Sequence, residues 1–103
     1  MMKFLHDICR NESIALNCIS KEKLREMKSR GGFALGKGED KRIFVDENIW
    51  GWEACHIIAH EVGHVLMGHL DSSEVSDDRK EQEARYFAGA LMALMVFHQY
   101  YNN

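Results

Sequence analysis

The chain contains no proline among its 103 residues. No helix is ended and no turn is fixed by a pyrrolidine ring, so those duties fall to its eight glycines and to polar caps. Cysteine is scarce as well: Cys9, Cys18 and Cys55 are odd in number and fit no Cys-x-x-Cys spacing. That pattern argues against a disulfide framework and leaves reduced thiols, the state expected in the cytoplasm. No long basic run is present and the net charge is −3, so no nucleic-acid-binding face is indicated. The longest apolar run, Tyr86 to Phe97, falls short of the roughly 20 residues that cross a bilayer, so no membrane span is expected. The start, "MMKFLHDICRNE", carries an acid at position 7 and neither an apolar core nor a small-residue cleavage site; no signal peptide is expected.

What remains is a composition ordinary for a globular protein, 46% hydrophobic and 28% charged. The length suits one domain spanning residues 1–103, with about 60–65% of its surface buried on folding. Residues 2–12 read as a short amphipathic helix with Phe4, Leu5, Ile8 and Cys9 on one stripe. Residues 13–20 alternate Ile14, Leu16 and Cys18 against smaller or polar neighbours, a strand pattern. Ser20 can cap a second helix over about 21–29 that stops at Gly31 and Gly32. Phe33–Leu35 and Arg42–Val45 are the arms of a hairpin whose turn is "GKGEDK".

The strongest helical pattern follows, from about Ile49 or Trp52 to His69, with Ile57, Ile58, Val62, Val65 and Leu66 recurring on one face. A polar loop, "DSSEVSDD" (71–78), leads to a last helix from about Asp78 to Tyr100. The predicted fold is α+β: a small antiparallel sheet packed on a zincin-like His-Glu-x-x-His helix and on the C-terminal helix that follows it.

Within "AHEVGHVLMGH" (59–69), His60 and His64 are one helical turn apart on one face, so two imidazoles can converge on one tetrahedral zinc. Glu61 lies about 100° around the helix. It cannot comfortably join them as a ligand, but it can reach a metal-bound water as general base. Gly63 is a poor helix former, costing about 1 kcal/mol relative to Ala, and is easier to explain if another backbone or a ligand approaches that face. His56 is on the same stripe, a turn away from the pair. His69 reads as a cation at the helix C-terminus.

A third ligand at the position a metzincin uses fails, because residues 67 and 70 are Met67 and Leu70. A carboxylate from the last helix is the other solution, and "RKEQEARYFAGALM" offers Glu81 and Glu83. Glu81 shares its face with Ala84, Arg85 and Ala88, whose alanines permit a close approach. Glu83 shares a bulkier face with Phe87 and Ala90. Packing favours Glu81 and leaves Glu83 open.

The pairing of "AHEVGHVLMGH" with "EQEARYFAGALM", preceded by "KRIFVDENIWGWEACHIIAH", resembles the ImmA/IrrE family of zinc metallo-endopeptidases over about residues 40–92. The resemblance implies His60, His64 and Glu81 as the metal ligands, one Zn2+ per chain, and Glu61 as catalytic base. It also implies a protein or peptide substrate, such as a helix-turn-helix transcriptional repressor of a mobile element or prophage. Two positions depart from the family pattern. Arg85 stands where Asn or Asp is common, and no proline ends the last helix near Leu94. Arg42–Val45 has two readings, an exposed edge beside which a linear substrate adds as a strand, or plain sheet core, and the second has at least equal weight; Arg85, Tyr86 and His98 are candidate transition-state stabilisers. The second reading is a catalytically inactive zinc-binding module for protein interaction.

Overall fold

A computed structural model describes residues 2–27, 29, 31–70 and 76–101. The elements in chain order are α1 (Met2–Asn11), β1 (Ile14–Ile19), α2 (Lys21–Glu26), β2 (Gly32–Lys37), β3 (Asp40–Asp46), α3 (Gly51–Leu66) and α4 (Asp77–Tyr101). The class is α+β, as the sequence predicts. Residues 71–75 of the predicted loop and residue 28, near the predicted end of the second helix, lie outside the described residues.

Local chemistry sets the boundaries. Ser20 caps α2 by accepting a hydrogen bond from the Lys23 amide at 3.2 Å. Strands β2 and β3 are longer than predicted and leave only Gly38 and Glu39 as the turn, with Gly38 at a φ of 62°. A two-residue hairpin turn needs such a left-handed residue, and glycine takes it without strain.

The sheet order is β1-β3-β2. β2 and β3 pair antiparallel, with Phe33 opposite Phe44, but β1 and β3 pair parallel, with Leu16 opposite Ile43. The sheet is therefore mixed, not antiparallel throughout. The chain reaches the β1–β3 pairing by way of α2 and the hairpin, a crossover that lets two strands run in the same direction.

This order also decides between the two readings of Arg42–Val45 in favour of sheet core. Arg42–Val45 lies in β3, the central strand, whose backbone is engaged on both sides. Among the described residues, the edges belong to β1 and β2.

The core forms where α1, α3 and α4 meet the sheet: Leu5, Ile43, Ala59, Val62 and Ala88 are fully buried, and Met92 and Met95 nearly so. Helix α3 is the centre of the molecule, packing on β2 and β3, on α1 and along α4. Gly63 explains how close α3 and α4 come. A Cβ there would lie 3.3 Å from the Cα of Ala84 and 3.0 Å from the Phe87 ring. The approach is backbone to backbone, which is the role the sequence suggests for this glycine.

Candidate metal centre

The α3–α4 contact brings three side chains to one point. The Nε2 atoms of His60 and His64 are 3.2 Å apart. One oxygen of Glu81 lies 3.1 Å from His60 Nε2 and the other 2.9 Å from His64 Nε2. A tetrahedral zinc with ligands at about 2.0–2.1 Å separates its donors by about 3.3 Å. The observed spacings fall a few tenths of an ångström short, so a small outward shift of the side chains admits the ion. Two imidazoles and one carboxylate also form a donor set that zinc favours, and the residues present fit the metal.

Glu81 is on α4 one turn before Ala84, so the Gly63–Ala84 contact carries its carboxylate across to the histidines. Glu83 does not join them. It turns instead to His69, whose Nε2 is 3.1 Å from Glu83 Oε1.

His69 is where the structure departs most from the sequence reading. Its side chain is only 3% exposed, and its Nδ1 lies 3.0 Å from His64 Nδ1. It is thus a buried partner of the motif, folded back from the helix end. The cause is local. Helix α3 ends at Leu66, Gly68 turns left-handed at a φ of 72°, the Gly68 amide donates to the Val65 carbonyl, and the His69 amide donates to the His64 carbonyl. This double closure is a Schellman motif, which folds the second residue past the cap back over the last turn of the helix. His69 consequently stacks edge-on against His64, with ring centroids 5.2 Å apart. The sequence signal was Gly68, three residues after Val65.

Glu61 occupies the wall of the same cleft, beside Gly32 at the start of β2. It is 8% exposed. Burial, and then the neighbouring Glu81 carboxylate, push its carboxyl up to about 7. Burial also lowers the His64 pKa, which favours the neutral imidazole that binds metals. At Gly32 a side chain would run into Ile57, so glycine keeps this strand close to Glu61.

The cleft has a volume of about 630 Å³ and is bounded by β2 through Gly32, Phe33 and Ala34, by α3 and by α4. His56 lines it without joining the three converging groups, and Lys80 lines it from α4. Neither was singled out as a polar group for substrate contact. Of the candidate transition-state stabilisers, Arg85 and Tyr86 are exposed and His98 sits against the Phe4 ring; none lines this cleft.

A family model for the IrrE N-terminal-like domain, Peptidase_M78, matches residues 18–96. The chain belongs to this peptidase family. The match takes in the motif helix, β2, β3 and most of α4, and begins near the end of β1, well before the stretch that carries the sequence resemblance. No curated protein and no solved structure matches the chain. Among the described residues of this family member, no helix is long and apolar enough to cross a membrane.

Proposed function

We propose that the chain is a zinc-dependent endopeptidase of small regulatory type, acting in the cytoplasm on a peptide bond of a protein substrate. One observation carries this reading: the His60, His64 and Glu81 donors converge in the cleft that also holds the buried carboxyl of Glu61. His60, His64 and Glu81 would hold the ion, leaving its fourth position open.

Zinc, when bound, would polarise the scissile carbonyl and lower the pKa of the attacking water. Glu61 takes the proton from that water at its carboxylate and passes it to the leaving amine nitrogen. Taking and returning a proton at one positioned carboxyl in this way is general acid–base catalysis. The edge of β2 offers its main-chain amides and carbonyls to an extended peptide, with Gly32, Phe33 and Ala34 facing the cleft. His56 and Lys80 are placed to contact substrate polar groups.

The family resemblance supports a helix-turn-helix repressor as substrate. The test is cleavage of a helix-turn-helix repressor, the first candidates being any encoded beside this gene, by wild type and by Glu61→Gln, both loaded with zinc. Cleavage by wild type alone supports the peptidase reading. If both bind the repressor equally and leave it intact, the zinc-binding interaction module takes its place.

A further inference from the structure

We infer that His69 and Glu83 form a positioning pair that fixes the proton of His64 on Nδ1 and thereby presents its Nε2 lone pair to the metal. The inference rests on the ligand reading above and deepens it, because neither residue touches the proposed ion.

The assignment follows from donor and acceptor capacity. An ionised carboxylate only accepts, so the 3.1 Å contact between Glu83 Oε1 and His69 Nε2 requires the hydrogen to be on Nε2. The ligand reading leaves the Nε2 of a neutral His64 bare and its hydrogen on Nδ1, which makes His69 Nδ1 the acceptor between the two rings. The 3.0 Å contact from His69 Nδ1 to His64 Nδ1 is then satisfied only if His64 donates from Nδ1. A neutral His64 with its proton there has a bare Nε2, the atom that lies 3.2 Å from His60 Nε2 and 2.9 Å from Glu81. The chain of contacts thus reads from the Glu83 carboxylate through two imidazoles to the site.

Its members are held rigidly. The Schellman turn fixes the backbone of His69 over His64, and the His69 side chain is almost fully enclosed. The second oxygen of Glu83 lies 4.0 Å from the Arg79 guanidinium, one turn earlier on α4. A ligand histidine whose far nitrogen is held by such a partner is fixed in tautomer and ring orientation, and loss of the partner typically weakens metal binding by about 10–100-fold.

The test is zinc affinity by chelator competition on the full chain, together with imidazole 15N shifts in the zinc-loaded protein. Wild type should show the His64 proton on Nδ1 and the His69 proton on Nε2. Glu83→Ala and His69→Leu should each weaken zinc binding about 10–100-fold. The double variant should be no weaker than His69→Leu, because Glu83 acts through His69. Glu83→Gln keeps an oxygen acceptor and should restore most of the affinity. Should His69→Leu fail to fold, Glu83→Ala, altered on a partly exposed side chain, decides alone. Unchanged affinity in these variants overturns the pair while leaving the ligand reading intact, whereas a His64 proton on Nε2 in the zinc-loaded protein takes that atom out of the ligand set and overturns both. A wild type that binds no zinc overturns the ligand reading, and the pair with it.

Discussion

His60 and His64 face each other through their Nε2 atoms at 3.2 Å, and each of those atoms is also within reach of one Glu81 oxygen. Two N–H groups cannot usefully point at one another, so at least one of the pair must direct a lone pair into the gap. A cation there meets the lone pairs and the carboxylate together. Metal analysis of the purified protein should give about one zinc per chain. His60→Ala, His64→Ala and Glu81→Ala should each lose it, whereas Glu83→Ala should retain it at reduced affinity. Zinc lost completely with Glu83→Ala but kept with Glu81→Ala would exchange the roles of the two carboxylates.

Removing the metal should lower thermal stability, because an ion held by His60, His64 and Glu81 would bind the folded chain and tie α3 to α4. At a free zinc concentration of about 100 times Kd the stabilisation is about 2.7 kcal/mol, or roughly 10–20 °C for a domain of this size. Calorimetry before and after chelation checks this. A coincident transition would show that the helices pack equally well without the ion.

Glu61→Gln should keep the fold and the zinc, since the amide preserves shape and the side chain is not among the three converging donors. Turnover should fall about 10²–10⁴-fold, the usual cost of removing a general base. Single-turnover cleavage with metal content measured in parallel distinguishes this from His60→Ala, which loses metal and activity together.

The pH dependence of the metal-free protein has a definite sign. The folded state holds the Glu61 proton up to about pH 7, against about 4.5 unfolded, so it binds more protons than the unfolded chain between those values. Stability from this group is complete below pH 4.5 and declines as pH rises to 7, by up to about 3 kcal/mol. The lowered His64 pKa acts in the opposite direction below 6.5, so the net curve is shallower there. Glu61→Gln removes the first contribution alone. Denaturant titrations should find it more stable than wild type at pH 8 and nearly equal to it at pH 4.5. Equal stability at both values would show that burial of this carboxyl carries no cost.

Gly63→Val should separate packing from ligation. The added carbons meet the Cα of Ala84 and the Phe87 ring, which pushes α4 away and takes Glu81 with it. Overpacking of this kind costs about 1–3 kcal/mol. Zinc affinity should fall although no ligand is altered. Wild-type affinity in a folded Gly63→Val would mean that the interhelical gap does not set the position of Glu81.

The local elements were legible because their signals are local: the periodicity of α3, the Ser20 cap, and glycines at the hairpin. The parallel β1–β3 pairing was not, since it depends on which strands meet across some 26 residues of chain rather than on any property of Ile14–Ile19 itself. The same long-range pairing moved the open edge from Arg42–Val45 to β2. For the candidate site, the spacing of His60 and His64 and the small face under Glu81 anticipated the convergence of these three side chains. His69 escaped because helical periodicity was extended through Gly68, where the chain in fact reverses. Arg85, which stands where the family commonly has Asn or Asp, is exposed, and the Nδ1 partner of His64 is His69, which in turn contacts Glu83.

Gly68 carries a consequence for anyone altering this protein. A Cβ built there meets nothing within 4 Å, so by crowding alone the position is a free surface site, open to labels, tags or library diversity. Its φ of 72° says otherwise: a β-branched residue would drive the backbone out of the left-handed region and swing the following imidazole out of its slot. Mutational tolerance at residue 68 should therefore track backbone handedness, with asparagine the best replacement and valine or isoleucine the worst. A surface position with no neighbours would then show the substitution profile of an active-site residue.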